Sequence, residues 1–220
     1  MAKRASSERL KKTAVLAMLA AIAYVVMAVG RVPVVLFLKY DPKDVVIALG
    51  GLIYGPLAAF VISVAVSLIE MVTLSDTGII GCIMNIVSTC SFACTAAIVY
   101  KRKKSLKGAV LGLLLGLFTS VAVMMLWNYL LTPLYMGYPR ESVVELLLPA
   151  FLPFNLIKST LNAAFTFLLY KPVIKALRGT GILPKAENAE KSKKPVMLWI
   201  IAALMIITAV LFILVLNNVI

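Results

Sequence analysis

The stretch PAFLPFNLIKSTLNAAFTFLLYKPVI, residues 149–174, decides how this chain folds. It is apolar for long enough to cross a bilayer as a helix, which takes about 20 residues at about 1.5 Å each. Yet it carries Lys158, with Asn155 one helical turn before it. A cation at membrane depth costs roughly 2.5–3.5 kcal/mol on insertion scales, so it marks a site unless a partner accounts for it. Spaced i, i+3, the two residues share one helix face.

Outward from that stretch, further apolar segments cover residues 13–29, 45–54, 57–74, 78–100, 108–131 and 195–219. The chain is 62% hydrophobic and 14% charged over 220 residues, with a mean hydropathy of +1.03. A water-soluble domain of this size needs far more polar surface, so the sequence predicts an all-α integral membrane protein. The segment 45–54 is too short to span alone and ends at Gly55-Pro56; it is expected to tilt or to sit behind the preceding loop. Basic residues before residue 13 mimic a signal peptide, but the apolar stretch 13–29 is near full span length and more spans follow. An uncleaved first transmembrane helix is the better reading.

Lysine and arginine set the orientation. With the N-terminus cytoplasmic, seventeen basic residues fall inside and only Arg31, Lys39, Lys43 and Arg140 outside. The net charge of +13 is thus explained by short loops on one side of a bilayer, not by a nucleic-acid partner. Counting depth from the same ends puts Glu70, Asn85, Asn128, Asn155 and Lys158 all in the outer half. Four helices then contribute polar groups to one zone, which suggests a polar-lined pocket opening outward.

Blander roles stand beside that reading. A lone membrane Asn is often interhelical glue, worth about 0.6 kcal/mol on average. Glu70 and Lys158 also suit mutual neutralisation. The outer loop RVPVVLFLKYDPKD, residues 31–44, is half apolar and too short to span. It reads either as a lid collapsed on the bundle or as an interfacial segment with Phe37 and Tyr40 at headgroup level. Ala17 and Ala21, four apart, make one face of the first helix nearly smooth, for close approach to a partner or for packing within the bundle.

Other chemistry is excluded or weak. There is no histidine, which removes Ser–His and Cys–His dyads and histidine metal sites. Cys82, Cys90 and Cys94 match no metal spacing and suit small apolar packing. Lys158 and Ser159 point 100° apart on a helix, and Glu70 has no second buried acid, so no catalytic residue is assigned and no enzyme is expected. No phosphate-binding G-x-x-x-x-G-K-[ST] loop occurs, so any energy must come from another chain.

Four stretches carry a family resemblance: LKYDPKDVVIALGGLIYGPLAA (38–59), GIIGCIMNIVST (78–89), WNYLLTPLY (127–135) and FNLIKSTLNA (154–163). Together, in this order over about residues 8–178, they resemble the substrate-binding S components of energy-coupling-factor (ECF) vitamin transporters, most of all the riboflavin-specific members. The resemblance implies a six-helix membrane bundle over residues 1–178 with a vitamin pocket beneath the first outer loop. It implies ligand contacts from Asn128, Asn155 and Lys158, a closing loop around Tyr40 and Asp44, and a ligand-facing position at Glu70; Asn85 joins the expected ligand-binding set by its depth. It further implies a docking face at Ala17 and Ala21 for a transmembrane coupling subunit, which works with two ATPase subunits in the bacterial cell membrane. The flavin would be cargo, with no cofactor and no metal. An S component for another vitamin or heterocycle, or a membrane scaffold without transport, are the alternatives. Two features depart from the pattern. Val46 stands where such members often carry proline. A polar linker (179–194) and an additional transmembrane helix (195–220) follow the six-helix domain.

Overall fold

The computed structural model describes residues 2–35, 38–137 and 139–182, with residues 203, 206, 207 and 210 beyond them. Helices α1 (Ala2–Gly30), α2 (Lys43–Tyr54), α3 (Pro56–Thr73), α4 (Gly78–Arg102) and α5 (Leu106–Met136) follow in order. A last rod runs from Arg140 to Gly179 as α6 (Arg140–Leu146), one π turn (Leu147–Phe151) and α7 (Leu152–Gly179). Among the described residues, five of these helices are long and apolar enough to cross a membrane, the rod counting as one. The sixth, α2, has 12 residues and rises only about 18 Å. The fold is therefore the expected all-α membrane bundle.

The short helix is the middle of the structure. It packs on α1, α3, α4 and α7 and buries Lys43, Asp44, Val45 and all of Ile47 to Leu52. A helix apolar all round is a core helix, which is why its length need not match the bilayer. It ends at Gly55, whose φ of +95° only glycine adopts cheaply. Pro56 then starts α3 at a position where its missing N–H costs nothing.

On α1, Val15, Leu19, Ala23 and Met27 form the buried stripe, spaced four apart. Val15, Leu19 and Ala23 join Ile47, Ile62, Val66, Phe92 and Phe167 in the main core. Ala17 and Ala21 fall off that stripe and are exposed. Helices α4 and α5 touch backbone to backbone. A Cβ on Gly112 or Gly116 would lie 2.6 Å from the carbonyl oxygen of Ala96 or Phe92, respectively. Glycines four apart let helices approach this closely, and in lipid close packing is what drives association.

The loop between α1 and α2 is an antiparallel hairpin of β1 (Val32–Val35) and β2 (Leu38–Tyr40), with Val32 opposite Tyr40. Val34, Leu38 and Tyr40 pack against Val143, Phe151, Phe154 and Leu161, a second apolar cluster at this end of the bundle. Of the two readings of the loop, the collapsed cover is the one that forms; Phe37 lies outside the described residues. The last rod begins earlier than hydropathy suggests, because the polar helix α6 continues into the apolar stretch. Pro149 and Pro153 each lack an N–H, and between them the chain widens so that Leu152 N–H bonds Leu147 O. At the opposite end of the bundle the hydroxyls of Tyr100 on α4 and Tyr170 on α7 bond each other.

Most of the expected linker and additional helix lies outside the described residues. Beyond residue 182 the four described residues, Ala203, Ile206, Ile207 and Val210, are helical. Ile206 packs against both apolar clusters.

Candidate functional site

The π turn delivers the opening stretch of sequence to a cavity. Just past it, Phe154, Asn155 and Lys158 line a space of about 320 Å³ at the hairpin end, within the usual span of small-molecule pockets. Leu38, Met84, Met124 and Phe154 supply apolar wall, and Asn85, Ser88, Asn155 and Lys158 supply polar wall. Arg31, Lys39, Asp41, Glu70, Ser75, Asp76 and Thr77 complete the lining.

Every cation on that lining has an acid partner. Lys158 Nζ is 3.3 Å from Asp44 Oδ2 and donates to Ser88 Oγ at 3.4 Å. Arg31 Nε donates to Asp41 Oδ1 at 2.6 Å, and its other end bonds Glu70. Lys39 pairs with Asp76 at 3.0 Å, though both side chains are well exposed, so that pair adds little. Behind the wall Lys43, fully buried, bonds Glu70 and lies 3.6 Å from Asp41. Three cations and three acids are thus packed on each other, which offsets the desolvation that any one alone would suffer.

In the hairpin, burial by itself would raise the Asp41 carboxyl, but Lys43, Lys158 and Arg31 outweigh it and hold it below the usual carboxylate range. Burial, then Asp44 and Asp41, push the Tyr40 phenol above its ordinary value, so it stays a protonated donor.

Of the residues expected to bind ligand, Glu70, Asn85, Asn155 and Lys158 line the cavity. Tyr40, Asp44 and Asn128 do not. Asp44 points inward from the first turn of α2, where Thr89 Oγ1 donates to it at 2.6 Å and Asn162 Nδ2 at 3.1 Å. Asn128 is fully buried and accepts from Thr132 Oγ1 at 3.1 Å. Tyr40 Oη and Asn128 Nδ2 have no hydrogen-bond partner among the described residues. Both sit one structural repeat beyond a lining residue. Tyr40 follows Leu38 by two on one strand face, and Asn128 follows Met124 by four on one helix face. Asn155 Nδ2 donates to Phe151 O at 2.8 Å, which leaves one amide proton and the carbonyl for other partners.

The pairing of Glu70 with Lys158 does not form. Glu70 takes Arg31 and Lys43, while Lys158 takes Asp44. Arg31, Asp41, Lys43 and Ser88 were not legible as site residues. The first three read as loop charges facing water, and a serine in an apolar helix carries no signal of its own. The alternating charges of Asp41-Pro42-Lys43-Asp44 were the available hint.

Comparison with known proteins agrees with this geometry. The family model for the ECF transporter substrate-specific component matches residues 11–170. The riboflavin transporter FmnP of Bacillus subtilis (strain 168) is 29% identical, over 79% of this chain and 99% of its own. The riboflavin transporter RibU of Staphylococcus aureus (strain TCH60) is 26% identical, over 76% and 93%. A solved S component of a bacterial ECF transporter superimposes with a TM-score of 0.65 at 26% identity, covering 77% of this chain and 99% of that one. With a central buried helix, a hairpin-covered cavity and a model match over most of its length, this chain belongs to the substrate-specific components of ECF transporters.

Proposed function

We propose that this chain is the riboflavin-binding subunit of an ECF uptake transporter. It captures vitamin at the hairpin end, outside the cell, and releases it inside when a transmembrane coupling subunit and two ATPase subunits act. The observation that carries this reading is the cavity under the hairpin, with Asn155 and Lys158 on its wall beside Met84, Met124 and Phe154. Riboflavin is a flat, largely apolar tricycle with a polar edge and a hydroxylated tail. Apolar faces and a few placed amides suit it. The compensated charges of the lining favour an uncharged guest, since a charged one would have to displace an existing partner. Tyr40 Oη and Asn128 Nδ2 are buried donors one structural repeat beyond the lining residues Leu38 and Met124, and a ligand reaching past those two would satisfy both. The two relatives named as riboflavin transporters are matched over nearly their whole lengths, which supports the same guest here.

Ala17 and Ala21 form the docking face, being exposed on α1 while its other side is core. The vitamin is cargo and is not transformed. Purified in detergent, the full chain should quench riboflavin fluorescence saturably at or below micromolar vitamin. A folded protein that shows no saturable quenching overturns the riboflavin assignment.

A further inference from the structure

Asp44 is 1% exposed and is not on the cavity wall, yet among the described residues it is the acid that pairs with Lys158, a buried cation that is on the wall. Its oxygens are already used. Oδ1 accepts from Thr89 on α4 at 2.6 Å, and Oδ2 accepts from Asn162 on α7 at 3.1 Å and faces Lys158 at 3.3 Å. Asn162 is itself buried and off the cavity. Lys158 has three N–H groups in tetrahedral array. The Asp44 ion pair and the Ser88 hydrogen bond hold the ammonium from two directions. With two directions fixed, the third is fixed as well, on a side chain that lines the cavity.

We propose that Asp44 is a positioning residue: it does not touch the vitamin, and it acts by holding the Lys158 ammonium so that one N–H is presented to the ligand. The inference rests on the riboflavin reading for the identity of that ligand. Thr89 and Asn162 fix the carboxylate from two other helices, so the chain of positioning runs from α4 and α7 through α2 to the cavity wall. A loop aspartate that merely covered the pocket would leave its oxygens free toward the ligand side.

The test is a double-mutant cycle on the full chain in detergent, with Asp44→Asn, Lys158→Met and the double variant read for riboflavin Kd and for Tm without vitamin. Each single change should weaken binding about tenfold to a hundredfold, the usual worth of a hydrogen bond to a charged group. The double variant should bind no more weakly than Lys158→Met alone. On Tm, each single change strands a buried charge and should lower it, while the double variant should recover. If Asp44→Asn does not fold, Asn162→Leu serves instead: it strips a donor from Asp44 without reaching the cavity. It should weaken binding when Lys158 is present and leave Lys158→Met unchanged. A constant factor from Asp44→Asn or Asn162→Leu in both backgrounds overturns the proposal, because Asp44 would then contribute independently of Lys158. Failure of the wild-type chain to bind riboflavin overturns the flavin reading instead. The Tm cycle then decides the Asp44–Lys158 coupling by itself, additive losses overturning it and recovery in the double variant supporting it.

Discussion

Glu70 shows how a single side chain can hold a cavity end together. It lies on α3, nearly fully buried, and bonds Arg31 at the end of α1 and Lys43 at the start of α2. The hairpin between those helices is therefore anchored at both of its roots to one carboxylate. Asp41 shares both cations, so it cannot replace Glu70 without losing its own balance. Glu70→Gln removes the charge and keeps the shape. It should cost about 3 kcal/mol or more of stability, the range for breaking a buried pair and leaving cations behind. Thermal unfolding in detergent measures this, and a Tm equal to wild type would mean that the hairpin is held by its apolar contacts alone.

At the scale of elements, α1 has a buried side and an exposed side. The stripe at Val15, Leu19, Ala23 and Met27 is core, so among the described residues Ala17 and Ala21 have no packing role inside the bundle. Replacing both with tryptophan should leave riboflavin affinity within about twofold of wild type, since neither is on the cavity wall. Uptake in cells carrying the partner subunits should be lost, because bulk removes the close approach that small faces allow. Equal loss of binding and uptake would mean that the change has disturbed the bundle instead. The π turn belongs to this scale as well. Two prolines four apart break the i→i−4 ladder, and the widened turn places Phe154, Asn155 and Lys158 at the cavity.

The whole molecule has a polar-lined end under the hairpin and a basic end around Lys101 to Lys104, all exposed. The charge bias predicts that the basic end is cytoplasmic, which would put the cavity outside. Reporter fusions at Lys104, Lys185 and Ile220 should read inside, inside and outside if the segment 195–220 crosses as an additional helix. A cytoplasmic signal at Ile220 would show that this segment does not span. Ile206 packs on both apolar clusters.

By itself the sequence determined the class of fold and where the chemistry could be. Long apolar runs in lipid must be helices, since no water is there to satisfy the backbone, and buried polar residues such as Glu70, Asn155 and Lys158 stand out against that background. The end at which they gather followed from counting residues along helices of known direction. What only the tertiary structure decided is who holds whom. Lys158 was placed by depth, but its partner Asp44 comes from a helix more than a hundred residues away in sequence, and Glu70 chose Arg31 and Lys43 over it. Hydropathy reads Asp41, Lys43 and Asp44 as loop charges because it measures the chain against water. Folding instead turned them inward at the start of a helix too short to reach across the bilayer. Pairing energies depend on distances of a few ångströms between separate helices, and no pattern along one chain encodes those distances directly.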